Sequence, residues 1–414
     1  MKIAVIGAGI VGMTTAYELA KDGHAVSIFE RNASIAEEAS FACSGHQGGS
    51  LFHPLAFPLW PSGSRLRSLL TPSGISFGRG TTLREVQWLR SWKSVGDDFD
   101  QRFVSAQALA AYSLQRQFSI AAQASLGFEQ SPGQLVLFKS ESAQLALQER
   151  VTRLTQLGAV GKLMTPAEVR TLEPALDANL EFHSGIYFAQ DGVGNCRQFA
   201  HLLKAKILES GGELHFGARV TALSASTRPE ISIQDKGPLS FDRVVICTGS
   251  SGSNLYASAL RHLPFAHVAS ASVSAQIREP LNAPRSAVMD WLSQTSISRM
   301  GARIRISGGA ALGHPSGLVG ERTQKRLFET LQSHFPGAAD YSRSMQIWQG
   351  VSTFSPDALP LIGASAQPGI WLNLAHGHNG WSMACGAARV IADQMGGKSS
   401  DIDTTKFHPD RFKA

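Results

Sequence analysis

Cysteine is scarce in this 414-residue chain: Cys43, Cys196, Cys247 and Cys385 are the four present, with no C-x-x-C pair and no regular spacing. No His, Cys or Asp cluster has metal-ligand spacing, so no metal is expected, and the thiols read as small buried residues of a protein in a reducing compartment, the cytoplasm. Long apolar runs are missing as well. None approaches the roughly 18–20 residues that a membrane-spanning helix needs. Although the formal net charge is +6, there is no run of five or more basic residues and no basic stretch interleaved with aromatics. Nucleic acid is therefore not an expected partner, and the excess reads as a solvated basic surface that leaves peripheral contact with an anionic membrane open. The opening "MKIAVIGAGIVGM" has an early Lys and an apolar run but lacks a small-residue cleavage site, and it reads as a buried strand rather than a signal peptide.

What is present is ordinary globular composition, with 43% apolar and 17% charged residues and 40 Gly and 18 Pro spread along the chain. The length suggests about two domains. The first thirty residues form a βαβ unit: "KIAVIGAG" as strand, "IVGMTTAYELAKDG" as helix closed by Gly23, and "HAVSIFE" as strand. Strands apolar on both faces belong to parallel sheets. The Pro-, Gly- and Ser-rich stretch from about 60 to 80 reads as a long connection, followed by helical periodicity over 81–127.

Further on, "GQLVLF" reads as a strand, the segment from 142 to Gly158 as a helix, and "TPAEVRTLEPAL" as a short helix with Thr165 and Glu168 in a capping box. A helix from Cys196, a strand pair from Glu213 and a buried strand "FDRVVICTGS" follow. Short β-like runs between 264 and 310 suggest an antiparallel sheet, and the tail reads as strand, Gly-rich turn, helix. The expected fold is α/β: a discontinuous, doubly wound, Rossmann-like cofactor domain (1–80, 145–263 and 345–414) and an α+β substrate domain on an antiparallel sheet (81–144 and 264–344).

Gly7, Gly9 and Gly12 form G-x-G-x-x-G between the first strand and helix. The first glycine permits the tight turn, the second lets backbone approach a pyrophosphate, and the third lets helix pack on strand. Glu30 closes the second strand about twenty residues on, where an acid accepts the hydroxyls of an adenosine ribose. Both NAD(P) and FAD use this fingerprint. The C-terminal "LNLAHGHNGWSMACG" favours FAD, because it places a Gly-containing turn before a helix starting near Asn379, and such a helix start stabilises negative charge on a reduced flavin.

With "VVICTGS", "DGVGNCRQF" and "GVSTFSPDALPLIG", these segments resemble the D-amino acid dehydrogenase branch of the glycine oxidase/D-amino acid oxidase flavoprotein family, essentially end to end. The resemblance implies non-covalent FAD. Carried over residue by residue, Gly7, Ala8, Gly9, Ile10, Val11 and Gly12 hold the pyrophosphate, and Glu30 with Arg31 the adenosine end. Ser40, Ser44, Gly45, His46 and Gln47 line the loop passing pyrophosphate and flavin; Val220, Thr248 and Gly249 contact the adenine side. Gly350, Gly377, His378, Asn379, Gly380 and Trp381 surround the ring. The implied chemistry is hydride transfer from the α-carbon of a deprotonated amine or amino acid to flavin N5, with positioning in place of a strong base.

Two departures stand out. Relatives carry an Arg within G-L-R-P-x-(T/S)-P-D that clamps the substrate carboxylate, and Ser352 stands at that position in "GVSTFSPD". Relatives also carry a K-G-Y-S-like stretch where this chain has "ASAS" at 269–272. His46, His376 and Arg299 are the candidates for a replacement anchor, while Trp348, Trp371 and Trp381 read as packing residues. Three readings stay open: an FAD-dependent amine dehydrogenase or oxidase with a substrate other than a simple D-amino acid; a D-amino acid dehydrogenase with a relocated anchor; and a flavin-binding electron-relay subunit. The electron acceptor, whether quinone, partner protein or oxygen, is left open, and the family adds docking on the inner membrane surface as an expectation.

Overall fold

The computed structural model describes residues 1–50, 76–78, 80–94, 99–156, 158, 160–252, 255, 260, 263–313, 319–342 and 345–412. Most of the long connection expected from about 60 to 80 lies outside them. The first strand, Lys2–Ile6, is the reference for one layer. It pairs in parallel with Ala25–Phe29 on one side and with Arg243–Ile246 on the other, inside a six-stranded sheet. Alternation along this strand explains its unbroken apolar run: Ile3 and Val5 join one core cluster, Ala4 and Ile6 another.

The first core is closed by helices. Ile10–Lys21 packs against Gly380–Met395 and Cys196–Glu209, and Phe99–Gln123 packs outside the final helix. The second core lies under a three-stranded antiparallel sheet formed by Val220–Ser224, Glu230–Ile233 and Pro238–Ser240. The short helix Pro166–Leu172 carries the expected capping box between Thr165 and Glu168.

A ten-stranded, mostly antiparallel sheet forms the other half of the molecule. Its outer face is apolar, with Val273, Ile297, Ile304 and Ile306 packed beneath Leu327 and Leu331 of the helix Glu321–His334. The sheets divide the chain differently from the sequence-based partition. Strands Ser184–Gly194 and Gln346–Phe354, both assigned to the cofactor domain from sequence, lie in the ten-stranded sheet. Their pairing partners, Gln130–Phe138 and Ala266–Gln276, come from distant sequence, so local pattern carried no information about which sheet would take them.

A buried charge network ties the helices together. Arg389 Nη1 donates to Glu18 Oε2 at 2.9 Å and to Asp22 Oδ1 at 3.1 Å, and its Nε donates to Asp393 Oδ1 at 2.9 Å. Glu18 is fully buried and also accepts from Arg116 Nε at 3.2 Å.

Candidate functional site

A cavity of about 480 Å³ runs between the two halves of the molecule. The turn from the first strand into the first helix forms part of its wall. Gly7 has φ +102°, and a Cβ there would meet the Cys247 carbonyl oxygen at 2.8 Å, so only glycine makes this turn. A Cβ on Gly12 would run into the Gly7 carbonyl; this residue sets the helix against the strand and does not face the cavity. Gly9 differs from both. It lines the cavity, and a Cβ there would meet only Ser40 Oγ, at 3.4 Å, leaving the backbone open to close approach by a ligand.

Ile10 and Val11 continue this wall at a helix start whose own N-cap residue, Gly9, offers no side chain; Ser40 Oγ, from a distant loop, accepts the Ile10 N–H at 3.1 Å. The final helix begins at the same cavity: Gly377, His378, Asn379, Gly380 and Trp381 line it, and Asn379 provides no side-chain cap. Two helix starts whose N-cap residues provide no side-chain cap thus face one space, an arrangement that favours a ligand carrying negative charge in two places.

Glu30, Arg31, Thr248 and Gly249 line the cavity beyond the ends of the parallel strands, and Val220 joins them from the start of the three-stranded sheet. Glu30 accepts the Ala8 N–H at 2.7 Å and the Asn32 N–H at 2.8 Å, which fixes the carboxylate, and Arg31 pairs with Glu38. Ser44 and His46 line the cavity too. The structure does not bring every expected residue to the wall. Ala8 lies beneath the turn, Gly45 packs against Met300, and Gln47 turns away to donate to Gln117 Oε1 at 2.6 Å.

Burial disfavours the charged form of each cavity histidine. Burial holds the His376 pKa down at about 3 and that of His378 at about 4. His376 donates from Nε2 to Asn373 Oδ1 at 2.8 Å, which leaves Nδ1 as a buried acceptor with no partner among the described residues. Burial also lowers His46, outweighing Asp191, whose Oδ2 stands 3.8 Å from Nε2.

Strand Gln346–Phe354 supplies Trp348, Gly350, Val351, Ser352 and Thr353 to the wall. Trp348 is a wall residue stacked on Phe41 at 5.9 Å rather than a core tryptophan. In the antiparallel register Ser352 faces Val268 and Gly350 faces Ser270, so the two sequence departures, far apart in the chain, are neighbours.

Arg299 is corrected. It sits next to Ser298, and period-two alternation sends it to the opposite face, where Nε donates to the Gly301 carbonyl at 3.1 Å. Arg305 has the cavity-side parity instead, but its groups are engaged: Nε donates to Ser274 Oγ and Nη1 to the Cys43 carbonyl, each at 3.0 Å. Arg305 is buried, with 7% of its surface exposed. The signal available was its place two residues before Ser307 on one strand face. Also missed were Gln134, Gln294, Ser296 and Ser307, which line the cavity from the large sheet and belong to no motif.

Comparison with known proteins agrees with this geometry. A family model described as FAD dependent oxidoreductase, DAO, matches residues 2–394. A D-amino acid dehydrogenase of Rhizobium rhizogenes is 30% identical over 419 residues, covering 100% of both chains, and one of Vibrio atlanticus is 27% identical over 417 residues, again covering 100% of both. Among solved structures, glycine oxidase from Geobacillus kaustophilus superposes with a TM-score of 0.75 at 19% identity, covering 100% of this chain and 99% of that one. L-proline dehydrogenase from P. horikoshii gives 0.75 at 18%, covering 100% and 97%. With a fingerprint turn, a fixed acid and two helix starts around one cavity, and with the family match spanning nearly every residue, this chain belongs to the FAD-dependent oxidoreductases of the DAO family.

Proposed function

We propose that this enzyme oxidises a C–N bond of an amine whose substrate anchor is not a carboxylate. The family cofactor, when bound, accepts a hydride from the substrate α-carbon. As the C–H pair leaves, the nitrogen lone pair forms the C=N bond and the N–H proton passes to solvent; water then hydrolyses the imine to a carbonyl compound and the free amine.

The observation that carries the reading is the composition of the wall around Ser352. Among the described residues, the cations lining the cavity are Arg31 and Arg219, beside Glu30 and Val220 at the adenosine side. Besides His46, the large-sheet wall contributes serines, glutamines, glycines, Thr353, Ala271, Val351, Met289 and Trp348. Ser offers one neutral donor where an Arg offers a charged fork, a difference of roughly 1.5–3 kcal/mol for a carboxylate held out of water. A relocated anchor has little support: Arg299 faces away, Arg305 donates to Ser274 and to the Cys43 carbonyl, and burial disfavours the charged form of both His46 and His376. What the chain itself contributes is orientation, by Gly350 and Ser352 on one side and the His376 turn on the other, together with exclusion of water.

D-alanine and D-alaninamide differ only in replacing the carboxylate by a neutral amide. Mixed anaerobically with the holoenzyme, D-alaninamide is expected to reduce the flavin faster. Prompt reduction by D-alanine, with D-alaninamide slow or inert, would overturn the reading.

A further inference from the structure

The large-sheet wall carries buried polar atoms without partners among the described residues. Gln134 and Gln294, 4% and 8% exposed, each have a buried Oε1 with no hydrogen-bond partner among the described residues, and the same holds for Ser296 Oγ and Ser307 Oγ. All four residues line the cavity. Ser272, 1% exposed and likewise unpartnered at Oγ, stands beside them.

Their arrangement follows from sheet register. Ser307 is directly opposite Ser272 on one neighbouring strand and opposite Ser296 on the other. Directly opposed residues share a face, so three hydroxyls form a row at the strand spacing of about 4.8 Å. Each buried polar atom left unpaired costs free energy comparable to a lost hydrogen bond. Four such atoms along one cavity wall make sense when a ligand completes them.

The donors and acceptors restrict that ligand. Gln294 Nε2 donates to the Trp291 carbonyl at 2.7 Å, an oxygen that can only accept, so the amide orientation is fixed and Oε1 is the atom left over. It needs a donor. A carboxylate has none to give, and an ammonium group here would be stripped of water with no acid on this wall to pair it. Hydroxyl groups donate to the glutamine oxygens and both donate to and accept from the serines.

We infer that this wall binds an uncharged, hydroxyl-rich arm, so that the substrate is an amine carrying a polyol or sugar-like chain. The assignment of an amine rests on the reading above; the recognition of hydroxyls does not.

The two are separated with D-glucitol, D-glucamine, hexanol and hexylamine as probes on the holoenzyme. D-glucitol is expected to perturb the flavin's visible spectrum saturably and more tightly than hexanol. Ser296→Ala/Ser307→Ala and, independently, Gln294→Met should each weaken this by about tenfold or more. In anaerobic mixing, D-glucamine should reduce the flavin with a kcat/KM above that of hexylamine. Hexanol binding as tightly as D-glucitol, no perturbation by D-glucitol, or variants that bind it like the parent would each overturn the inference, as would preference for hexylamine. If D-glucitol binds as expected while no amine reduces the flavin, hydroxyl recognition stands and amine oxidation fails.

Discussion

His376 donates its Nε2 hydrogen to Asn373 Oδ1 at 2.8 Å, and Asn373 Nδ2 donates in turn to Thr15 Oγ1 at 3.0 Å. This chain joins the turn before the final helix, the strand Ile370–Leu374 of the six-stranded sheet and the first helix. It locks one tautomer of the histidine and holds the two helix starts of the cavity in fixed relation.

Acid should loosen this arrangement. The His376 pKa falls from an ordinary 6.5 to about 3 through burial, so the folded state keeps it neutral while the unfolded chain binds a proton. Its stabilisation is full above 6.5 and is lost as pH falls from there toward 3. Thermal melting of the cofactor-free protein across that range should show a decline that is shallower in His376→Asn. Identical slopes would count against it.

The glycines of the fingerprint should separate cofactor binding from folding. In Gly9→Val the side chain enters open cavity space, so the protein should fold and purify without flavin. In Gly12→Ala the Cβ meets the Gly7 carbonyl, so the melting temperature itself should fall. Flavin content and melting of the two variants, measured together, check the distinction.

Cys43 should be the reactive thiol. The Cys196 thiol beside it draws its pKa down to about 7 against the effect of burial, with Arg305 assisting, while burial pushes Cys196 up. Both line the cavity. Alkylation followed by mass spectrometry should label Cys43 first, faster as pH rises through 7, and FAD should protect it. Labelling of Cys196 first would contradict this.

Removing Arg389 should be costly. Arg389→Leu leaves the fully buried Glu18 with Arg116 as its one remaining cation partner among the described residues and takes from Asp22 and Asp393 the guanidinium they share. A loss of about 3 kcal/mol is expected in denaturant unfolding, the lower end of what breaking a buried pair costs, because Arg116 still neutralises Glu18. Glu18→Gln with Arg389 intact should cost less.

The sequence disclosed the cofactor half well because its signals are local. Strand, glycine turn, helix and Glu30 follow one another within thirty residues, and the same is true of the turn at Gly377. The wall over the cofactor was hidden because it is made by register. Ser352 and the serines at 270 and 272 become neighbours only when Ala266–Gln276 pairs with Gln346–Phe354. Arg299 and Arg305 have opposite parity along their strands, and nothing in the sequence said which face meets the cavity. Gln134 and Gln294 act through buried amide oxygens, a property of the folded environment alone.

The most direct test restores what this chain lacks. In Ser352→Arg, the ratio of flavin-reduction rates, D-alanine over D-alaninamide, should rise by about tenfold or more relative to the parent, the worth of one charge-assisted clamp. An unchanged ratio, in a variant that keeps its flavin and with a parent that already prefers D-alanine, would contradict the account.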